Sequence, residues 1–421
     1  MEITQSKRDV CRLCEAKNLE LVVPLAPTPV AEKYLTKNQL DRKELICPLD
    51  LYMCKSCGHV QLLDIIDPKF LYSDYTYSSG NSSGLVQHFK EYADKIIDKY
   101  KPKKNSLVID VGSNDGTLLR FFKKYGLKVL GVDPAKEIAE KATSEGIKTL
   151  PEFMNMELSQ RIKKEYGLAK IITANNAFAH MDDLIGMLKS IRALMCSDGI
   201  FVFEISYLLD VIQKVLLGTI FHEHHSYHSL KPLIKFMKRY NMEIIDVERV
   251  TIQGGSLIGT SQLVGGPHKI SSSVGKLIEL EKKHKLDNPE TLKFFANRMK
   301  KLKDELESIL ANYKKQGKTI AGFGAARSGT TLITQMGIGK MLDFIVDDNP
   351  EKQGKFTPGD HILVKPTNTI YEKRPDYLFI LAWIHAKKII RDNKRYINEG
   401  GHFIICFPEV RIIGKKEITE I

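Results

Sequence analysis

The sequence predicts an α/β protein in which a small metal-stabilised amino-terminal module precedes two α/β domains. Two Cys-x-x-Cys pairs lie near the amino terminus. From about residue 85, apolar runs that suit buried strands alternate with amphipathic segments that suit helices, which is typical of a parallel sheet covered by helices. This alternation begins again after a charged helical stretch at residues 270–316. We therefore predict three domains, at residues 1–75, 76–265 and 266–421.

Composition limits the classes of protein that the chain can belong to. With 421 residues, 43% hydrophobic and 27% charged, it is predicted to be soluble, globular and divided into domains. No apolar run reaches the ~18 residues of a membrane span, and the polar amino terminus lacks the apolar stretch of a signal peptide. We therefore expect a cytoplasmic protein with no membrane partner.

The net charge of +12 is compatible with binding either nucleic acid or small phosphorylated ligands. Lysines are spread along the chain without a block of five or six, which favours the small ligand. We expect no nucleic-acid partner.

The two cysteine pairs predict a structural zinc site. Four thiolates in a tetrahedral array suit zinc and leave no open position for catalysis. Cys47 and His59 are alternative ligands. A redox role is less favoured, because such pairs usually accompany a βαβ unit and these precede one. The predicted ligands are Cys11, Cys14, Cys54 and Cys57.

The first glycine-rich turn, LVIDVGSNDGTLLRFF, runs from an apolar strand into an amphipathic helix. Such a turn lets a ligand approach the backbone and the helix amino terminus. Asp133 ends the next strand, where a carboxylate can accept ribose hydroxyls. The spacing is not G-x-G-x-x-G, and with Asp110 ahead of it the loop resembles the S-adenosylmethionine loop of class I methyltransferases. The predicted cofactor residues are Asp110, Gly112, Asn114, Asp133, Asn175 and Asn176.

A histidine cluster, FHEHHSYHS, holds four of the twelve histidines within seven residues. A metal site is one interpretation, but no H-x-x-x-H on a helix with a partner acid supports it. General acid/base chemistry is favoured, because one imidazole can take a proton while its neighbours orient it. His180, in NAFAHMDD, is predicted to end another strand and face the same cleft.

The second glycine-rich turn, TIAGFGAARSGTTL, again runs from strand to helix. Gly324 would let the helix amino terminus approach a diphosphate, which Arg327 can contact. NAD is an alternative ligand, because Asp347 or Asp348 lies where a ribose-binding acid is expected.

These motifs together resemble the sugar C-methyltransferases that act on nucleotide-linked 4-keto-deoxyhexoses. The resemblance covers a succession of segments from Cys11 to about Pro408: CRLC, CPLDLYMCKSCGHVQLLD, YSDYTYSSG, VIDVGSNDGTLL, NAFAHMDD, FHEHHSYHS and DDNPEKQGKFTPGDHI. It implies a zinc-binding module, a class I methyltransferase Rossmann-like domain, and a second Rossmann-like domain that helps bind the sugar nucleotide.

The resemblance also assigns roles to individual residues. His224 would be the base that removes the proton beside the ketone, with Glu223 as its partner and His180 as the neighbour of the enolate oxygen. The family often has tyrosine where Phe221 stands, so Tyr227 and His222 are candidates to replace its hydroxyl. The remaining residues implied for catalysis or for the substrate are Tyr75, Tyr77, Gly324, Arg327 and Lys352.

The activity implied is S-adenosylmethionine-dependent methylation of a nucleotide-diphosphate-linked 4-keto-6-deoxysugar beside its ketone, at C-3. The chain would act as a monomer or homodimer in branched-chain sugar biosynthesis. An O- or N-methyltransferase acting on another small molecule is the alternative.

Overall fold

The computed structural model describes residues 5–72 and 78–417. The chain forms two compact units that alternate along the sequence. The first unit comprises Met1–Glu20, Met53–Leu209 and His225–Asn288, and the second comprises Leu21–Tyr52, Asp210–His224 and Pro289–Ile421. The predicted pair of α/β sheets is confirmed, with one sheet in each unit. The three-domain boundaries stay a prediction.

The amino-terminal segment contains short strands and one short helix, which are β1 (Gln5–Lys7), β2 (Leu19–Val23), β3 (Thr28–Pro29), β4 (Ile46–Cys47), β5 (Leu51–Cys54), β6 (Val60–Leu62), β7 (Asp64–Ile66) and α1 (Pro68–Tyr72). Strand β1 pairs with β7, and β3 pairs with β4, both antiparallel. Tyr75 and Tyr77, two residues predicted from the resemblance, lie outside the described residues.

The middle of the chain alternates strands and helices, which are α2 (Ser83–Tyr100), β8 (Leu107–Val111), α3 (Thr117–Lys124), β9 (Lys128–Val132), α4 (Lys136–Ser144), β10 (Thr149–Leu150), α5 (Met156–Tyr166), β11 (Ala169–Asn175), α6 (Leu184–Leu194), β12 (Met195–Ser206), α7 (Leu208–Lys214), β13 (Ser226–Tyr227), α8 (Leu230–Arg239), β14 (Met242–Val250) and β15 (Ser256–Leu263).

A seven-stranded sheet forms the centre of the first unit, in the order β10-β9-β8-β11-β12-β15-β14. Strands β8 to β12 are parallel to one another, and β15 pairs antiparallel with both β12 and β14. Every residue of β8 is buried, as expected for a strand covered by helices on both faces. Helix α2 buries Leu85, Phe89, Tyr92, Ala93 and Ile96 at helical spacing, and its first turn is capped by Ser82. The parallel strands thus end together at one edge of the sheet.

The carboxy-terminal part contains two long helices followed by a second strand-helix alternation, which are α9 (Ser272–Lys283), α10 (Pro289–Lys315), β16 (Ile320–Phe323), α11 (Arg327–Met336), β17 (Phe344–Val346), β18 (Val364–Lys365), α12 (Thr369–Lys373), β19 (Tyr377–Ile380), α13 (Ala386–Asp392), α14 (Lys394–Asn398), β20 (His402–Ile405) and β21 (Arg411–Ile413).

A six-stranded sheet forms the centre of the second unit, in the order β18-β17-β16-β19-β20-β21. All neighbours are parallel except β20 and β21. The two long helices divide between the units: α9 belongs to the first and α10 to the second. Among the described residues, no helix is long and apolar enough to cross a membrane.

Candidate active site

The four predicted cysteine ligands converge in the first unit. Their sulfur atoms all lie within 4.8 Å of one another. The Sγ atoms of Cys11 and Cys57 are 3.7 Å apart, and those of Cys14 and Cys54 are 3.4 Å apart. A tetrahedral zinc ion with Zn–S bonds of ~2.3 Å holds its sulfurs at about this spacing. The donor set therefore fits a closed structural zinc site.

The two alternative zinc ligands have other positions. Cys47 lies in β4, in the second unit, and is not part of the four-cysteine group. His59 is fully buried, and its Nε2 lies 3.1 Å from the Ser226 hydroxyl. The structure therefore separates the predicted cysteine set from both alternatives.

The first glycine-rich turn connects β8 to α3 and requires residues with positive φ. Gly112 has a φ of +79°, and a Cβ atom at that position would lie 2.6 Å from the Cβ of Ala177. Asn114 and Gly116 also have positive φ. Glycine adopts this conformation without steric cost, so the turn brings bare backbone to the edge of the sheet. This is the cradle expected for a nucleoside cofactor.

Two buried aspartates border this turn. Asp133 follows β9 and accepts a hydrogen bond of 2.8 Å from the Asn114 amide. Asp110 accepts a 2.6 Å hydrogen bond from the Thr173 hydroxyl, and burial raises the pKa of its carboxyl to about 7. Both carboxyl groups therefore lie beside the turn, and their assignment to the cofactor stays a prediction.

The segment Ser78–Gly80 also holds the turn, which sequence reasoning missed. The Ser79 amide donates to the Asn114 side chain at 2.8 Å. Asp115 accepts hydrogen bonds from the Ser78 hydroxyl and the Gly80 amide. The repeated serines of YSSGNSS were a signal for this contact, because small polar residues and glycine suit close backbone approach.

The predicted residues beyond β11 line the same sheet edge. Asn175 ends β11, and Asn176 has a φ of +53° while its amide donates to the Glu204 carbonyl. The chain then forms a single 3₁₀ turn, Phe178–His180, in which His180 is half-buried. These positions, like the turn after β8, lie at the carboxyl ends of parallel strands.

The predicted base, His224, belongs to the second unit. Its Nδ1 donates a 2.7 Å hydrogen bond to the Thr219 carbonyl, so the neutral ring carries its lone pair on Nε2. Burial lowers the pKa of this imidazole to about 4, against the smaller opposing effect of the carbonyl. The Phe221 ring packs against it at a centroid distance of 4.0 Å. His224 is thus neutral and oriented at physiological pH.

Glu223 is buried and forms an ion pair with the half-buried Arg327, the first residue of α11. Burial raises the pKa of the carboxyl, while the nearby guanidinium opposes this shift. The Arg327 guanidinium also lies over the Phe221 ring, 5.7 Å from its centroid. These contacts of Arg327 therefore join the second glycine-rich turn to the histidine cluster within one unit. The separate sequence motifs did not indicate this contact.

Two other predicted residues have packing roles. The His222 ring is buried, and its Nε2 donates a 3.2 Å hydrogen bond to the Cys47 carbonyl. Tyr227 is 1% exposed in β13, which pairs with β6. Their catalytic and substrate-binding assignments stay predictions.

The second glycine-rich turn connects β16 to α11. Gly324 has a φ of +94°, and a Cβ there would lie 2.5 Å from the Cβ of Ala382. The Lys352 ammonium contacts the Ala325 carbonyl at 2.8 Å and pairs with Glu32. A bare backbone with an arginine and a lysine beside a helix amino terminus suits an anionic group.

Comparison with known proteins identifies the family. Family models match at residues 11–72 for a zinc binding domain, at 86–247 for a methyltransferase domain, and at 251–408 for a C-methyltransferase C-terminal domain. The C-methyltransferase NovU of Streptomyces niveus is 30% identical over 407 residues, which cover 96% of this chain and 97% of NovU. The chain belongs to this C-methyltransferase family.

Membership of this family establishes the methyl donor and the type of atom that is methylated. The chain is an S-adenosylmethionine-dependent C-methyltransferase with a four-cysteine zinc site and a class I methyltransferase fold. The predicted family, fold class and cofactors are confirmed. Transfer to carbon is favoured over the O- or N-methyl alternative.

Solved structures show weaker likeness. The PH0226 protein of Pyrococcus horikoshii OT3 has a TM-score of 0.36 and 14% identity, covering 46% of this chain and 99% of its own. The magnesium protoporphyrin IX methyltransferase ChlM of Synechocystis PCC 6803, solved with bound SAM, has a TM-score of 0.33 and 13% identity, covering 46% of this chain and 88% of its own. These scores are too low to carry an argument about this C-methyltransferase.

Proposed function

We propose that this C-methyltransferase methylates a nucleotide-diphosphate-linked 4-keto-6-deoxysugar at the carbon next to its ketone, C-3. The observation that carries the proposal is His224, whose Nδ1 donates to the Thr219 carbonyl at 2.7 Å, so that the neutral imidazole has its lone pair on Nε2. Its lone pair on Nε2 suits removal of a proton that a neighbouring ketone has acidified. Methylation of carbon needs such a base, since the carbon must first become nucleophilic.

The first unit supports the binding of the methyl donor. Bound S-adenosylmethionine supplies an electrophilic methyl group. Asp133 would accept its ribose hydroxyls, and the backbone of the turn at Gly112 would face it. Asn114, Asn175 and Asn176 would complete the contacts, and the carboxylate of Asp110 would favour its positive charge.

The second unit supports the binding of the diphosphate. The amino terminus of α11 offers amide hydrogens next to Gly324, and Arg327 and Lys352 add two positive charges. Glu223 orients Arg327 through their ion pair. A nucleotide-linked substrate explains this combination better than an uncharged sugar would.

His224 would take the proton from the carbon, and the electron pair of the C–H bond would pass to the ketone oxygen. His180 would donate a hydrogen bond to that oxygen, which lowers the energy of the enolate. The enolate carbon would then take the methyl group that bound S-adenosylmethionine supplies, with the electron pair of the sulfur–methyl bond left on sulfur, and His224 would release its proton to solvent. Phe221 cannot donate a hydrogen bond, so this step assigns the donor role to His180.

The test combines S-adenosylmethionine with a panel of nucleotide-linked 4-keto-6-deoxysugars and weighs the products. We expect one product that is heavier by one methyl group. His224→Ala should lower kcat by about 10²- to 10⁴-fold, the usual contribution of a general base. Solvent-deuterium exchange at the carbon beside the ketone should stop in the same variant.

Two controls sharpen this experiment. Nucleotide-linked sugars without a ketone should give no product, because their C–H bonds are not acidic. Calorimetry should show that His224→Ala still binds S-adenosylmethionine. Exchange that continues in His224→Ala would overturn the assignment of the base, and methylation of the keto-free sugars would overturn the proposed substrate class.

A further inference from the structure

Arg12 lies inside the first cysteine pair and is buried, although it carries a charge. Its side chain is 0% exposed. Burial lowers the pKa of the guanidinium to about 10, and the nearby Asp182 carboxylate opposes this effect. A buried charge costs several kcal/mol unless it is paired and hydrogen-bonded. The partners of Arg12 therefore indicate what this charge holds in place.

The partners of Arg12 lie in two segments of the chain: Gln61 and Leu62, shortly after the second cysteine pair, and Asp182, after the 3₁₀ turn. The Arg12 Nε and Nη2 atoms each lie 3.0 Å from Oδ1 of Asp182. Its Nη1 donates to the Leu62 carbonyl and to Oε1 of Gln61, and its backbone amide donates to the same oxygen at 3.0 Å. The guanidinium thus connects the zinc-binding turn to a carboxylate 170 residues away in the sequence.

Asp182 is held from a second direction as well. Arg8 Nη1 lies 3.0 Å from its Oδ2 and 3.4 Å from its carbonyl oxygen. Both carboxylate oxygens therefore bind arginines of the amino-terminal segment. Because Asp182 is only two residues from His180, these bonds fix the chain that follows the 3₁₀ turn.

Packed rings connect the second cysteine pair to the same loop. His59 follows Cys57 by two residues, and its ring lies 5.2 Å from that of His228. The His228 ring stacks on Phe178 at 5.4 Å with an angle of 26° between the planes. Phe178 is part of the 3₁₀ turn that contains His180.

The loop held in this way borders the cofactor turn. Its residue Ala177 is the one that a Cβ at Gly112 would meet. We propose that the zinc-binding turns position residues 175–182, with Arg12 as a positioning residue, and that zinc is thereby coupled to the methyl-transfer site as well as to folding. The effect on catalysis rests on the proposed role of His180, whereas the effect on the loop does not.

Arg12→Lys tests the coupling, because lysine keeps the charge but loses the planar fork that spans Asp182 and Leu62. We expect full zinc content and an unchanged far-UV spectrum. We also expect kcat to fall at least tenfold with KM for the sugar nucleotide within threefold. Hydrogen exchange of the backbone amides of residues 178–182 should accelerate at least tenfold.

Asp182→Asn provides a second variant, because asparagine preserves shape at a site that is one-third exposed. It should accelerate the same amides, and the effect of the double variant should be smaller than the sum of the two single effects, since the two residues share one contact. Arg239→Met is the matched control. Arg239 donates to the Leu13 carbonyl of the zinc-binding turn at 3.2 Å. It should leave exchange in residues 178–182 unchanged.

The two proposals fail in different ways. If wild-type protein methylates no 4-keto sugar nucleotide, the proposed substrate is wrong, while the exchange rates of residues 178–182 still report on the loop. If zinc-loaded, folded Arg12→Lys and Asp182→Asn both keep wild-type exchange in that loop, the coupling is overturned. Unchanged kcat alongside accelerated exchange would overturn only the link to catalysis.

Discussion

The turn after β8 and the turn after β16 each pass from a buried parallel strand into a helix through a glycine with positive φ. The Gly112 amide donates to the Val132 carbonyl, and the Gly324 amide donates to the Val346 carbonyl. The aspartate after each neighbouring strand, Asp133 or Asp347, accepts a hydrogen bond from a loop amide. The backbones of the two turns therefore have the same strand-to-helix geometry and equivalent supporting hydrogen bonds.

The side chains around the two turns differ in charge. The first turn is bordered by the carboxyl groups of Asp110, Asp115 and Asp133. The second is bordered by Asp347 and by Arg327 and Lys352, which pair with Glu223 and Glu32. A glycine pattern and a following aspartate therefore do not identify a ligand by themselves. The arginine and the lysine are what the first turn lacks, and they are the basis for the proposal that the first turn binds a sulfonium cation and the second a diphosphate.

The largest expected effect on ligand affinity comes from filling the two glycine positions. Gly112→Ala and Gly324→Ala each place a Cβ at under 3 Å from a neighbour, at a φ that alanine adopts poorly. Strain of 1–3 kcal/mol predicts losses of affinity that approach about 100-fold. Calorimetry should show that Gly112→Ala loses S-adenosylmethionine alone and that Gly324→Ala loses the sugar nucleotide alone.

Each glycine variant is the control for the other. Loss of both ligands in one variant, with an unchanged unfolding temperature, would mean that the two turns do not bind separate ligands. Binding of NAD at the second turn, measured with the wild-type protein, would contradict the diphosphate-sugar assignment.

A smaller effect should follow from removing one charge at each turn. Asp133→Asn should weaken S-adenosylmethionine by about tenfold, since a charged hydrogen bond to ribose is replaced by a neutral one. Lys352→Met should weaken the sugar nucleotide by a similar factor and leave S-adenosylmethionine unchanged. If either variant weakened the binding of both ligands equally, the charges at the two turns would not be what selects each ligand.

The smallest effect concerns pH. Because burial raises the pKa of Asp110 to about 7, its carboxyl is neutral below that pH and negative above it. Affinity for the cationic methyl donor should therefore rise a few-fold between pH 6 and 8, whereas affinity for the sugar nucleotide should change less. Titration calorimetry across this range checks the direction.

Asp110→Asn is the control for the pH experiment, because it removes the titrating group. If the pH dependence of S-adenosylmethionine affinity is the same in this variant and in the wild-type protein, Asp110 is not its source.

The sequence predicted what depends on local pattern. Cys11, Cys14, Cys54 and Cys57 were identifiable from their spacing, and Gly112 and Gly324 from their position between an apolar run and an amphipathic one. Both sheets followed from alternation of such segments. Each of these features is encoded within a short stretch of chain, so it can be predicted from a single sequence.

Features that depend on distant residues were not predictable. Arg12 lies inside a cysteine pair, and only the fold shows its bond to Asp182. The ion pair of Glu223 with Arg327 joins residues 104 positions apart. His222 was grouped with the base by proximity in sequence, yet its ring faces the Cys47 carbonyl. The sequence around a charged or polar side chain does not indicate which distant residue it contacts in the fold.

The alternation of the two units along the chain has a consequence for biosynthesis. Residues 21–52 leave the ribosome early but belong to a unit whose six-stranded sheet begins at Ile320. They cannot reach their final environment until nearly all of the polypeptide has been made. Any single cut of the chain would likewise divide at least one unit between the two fragments, so no single cut separates the two units from each other.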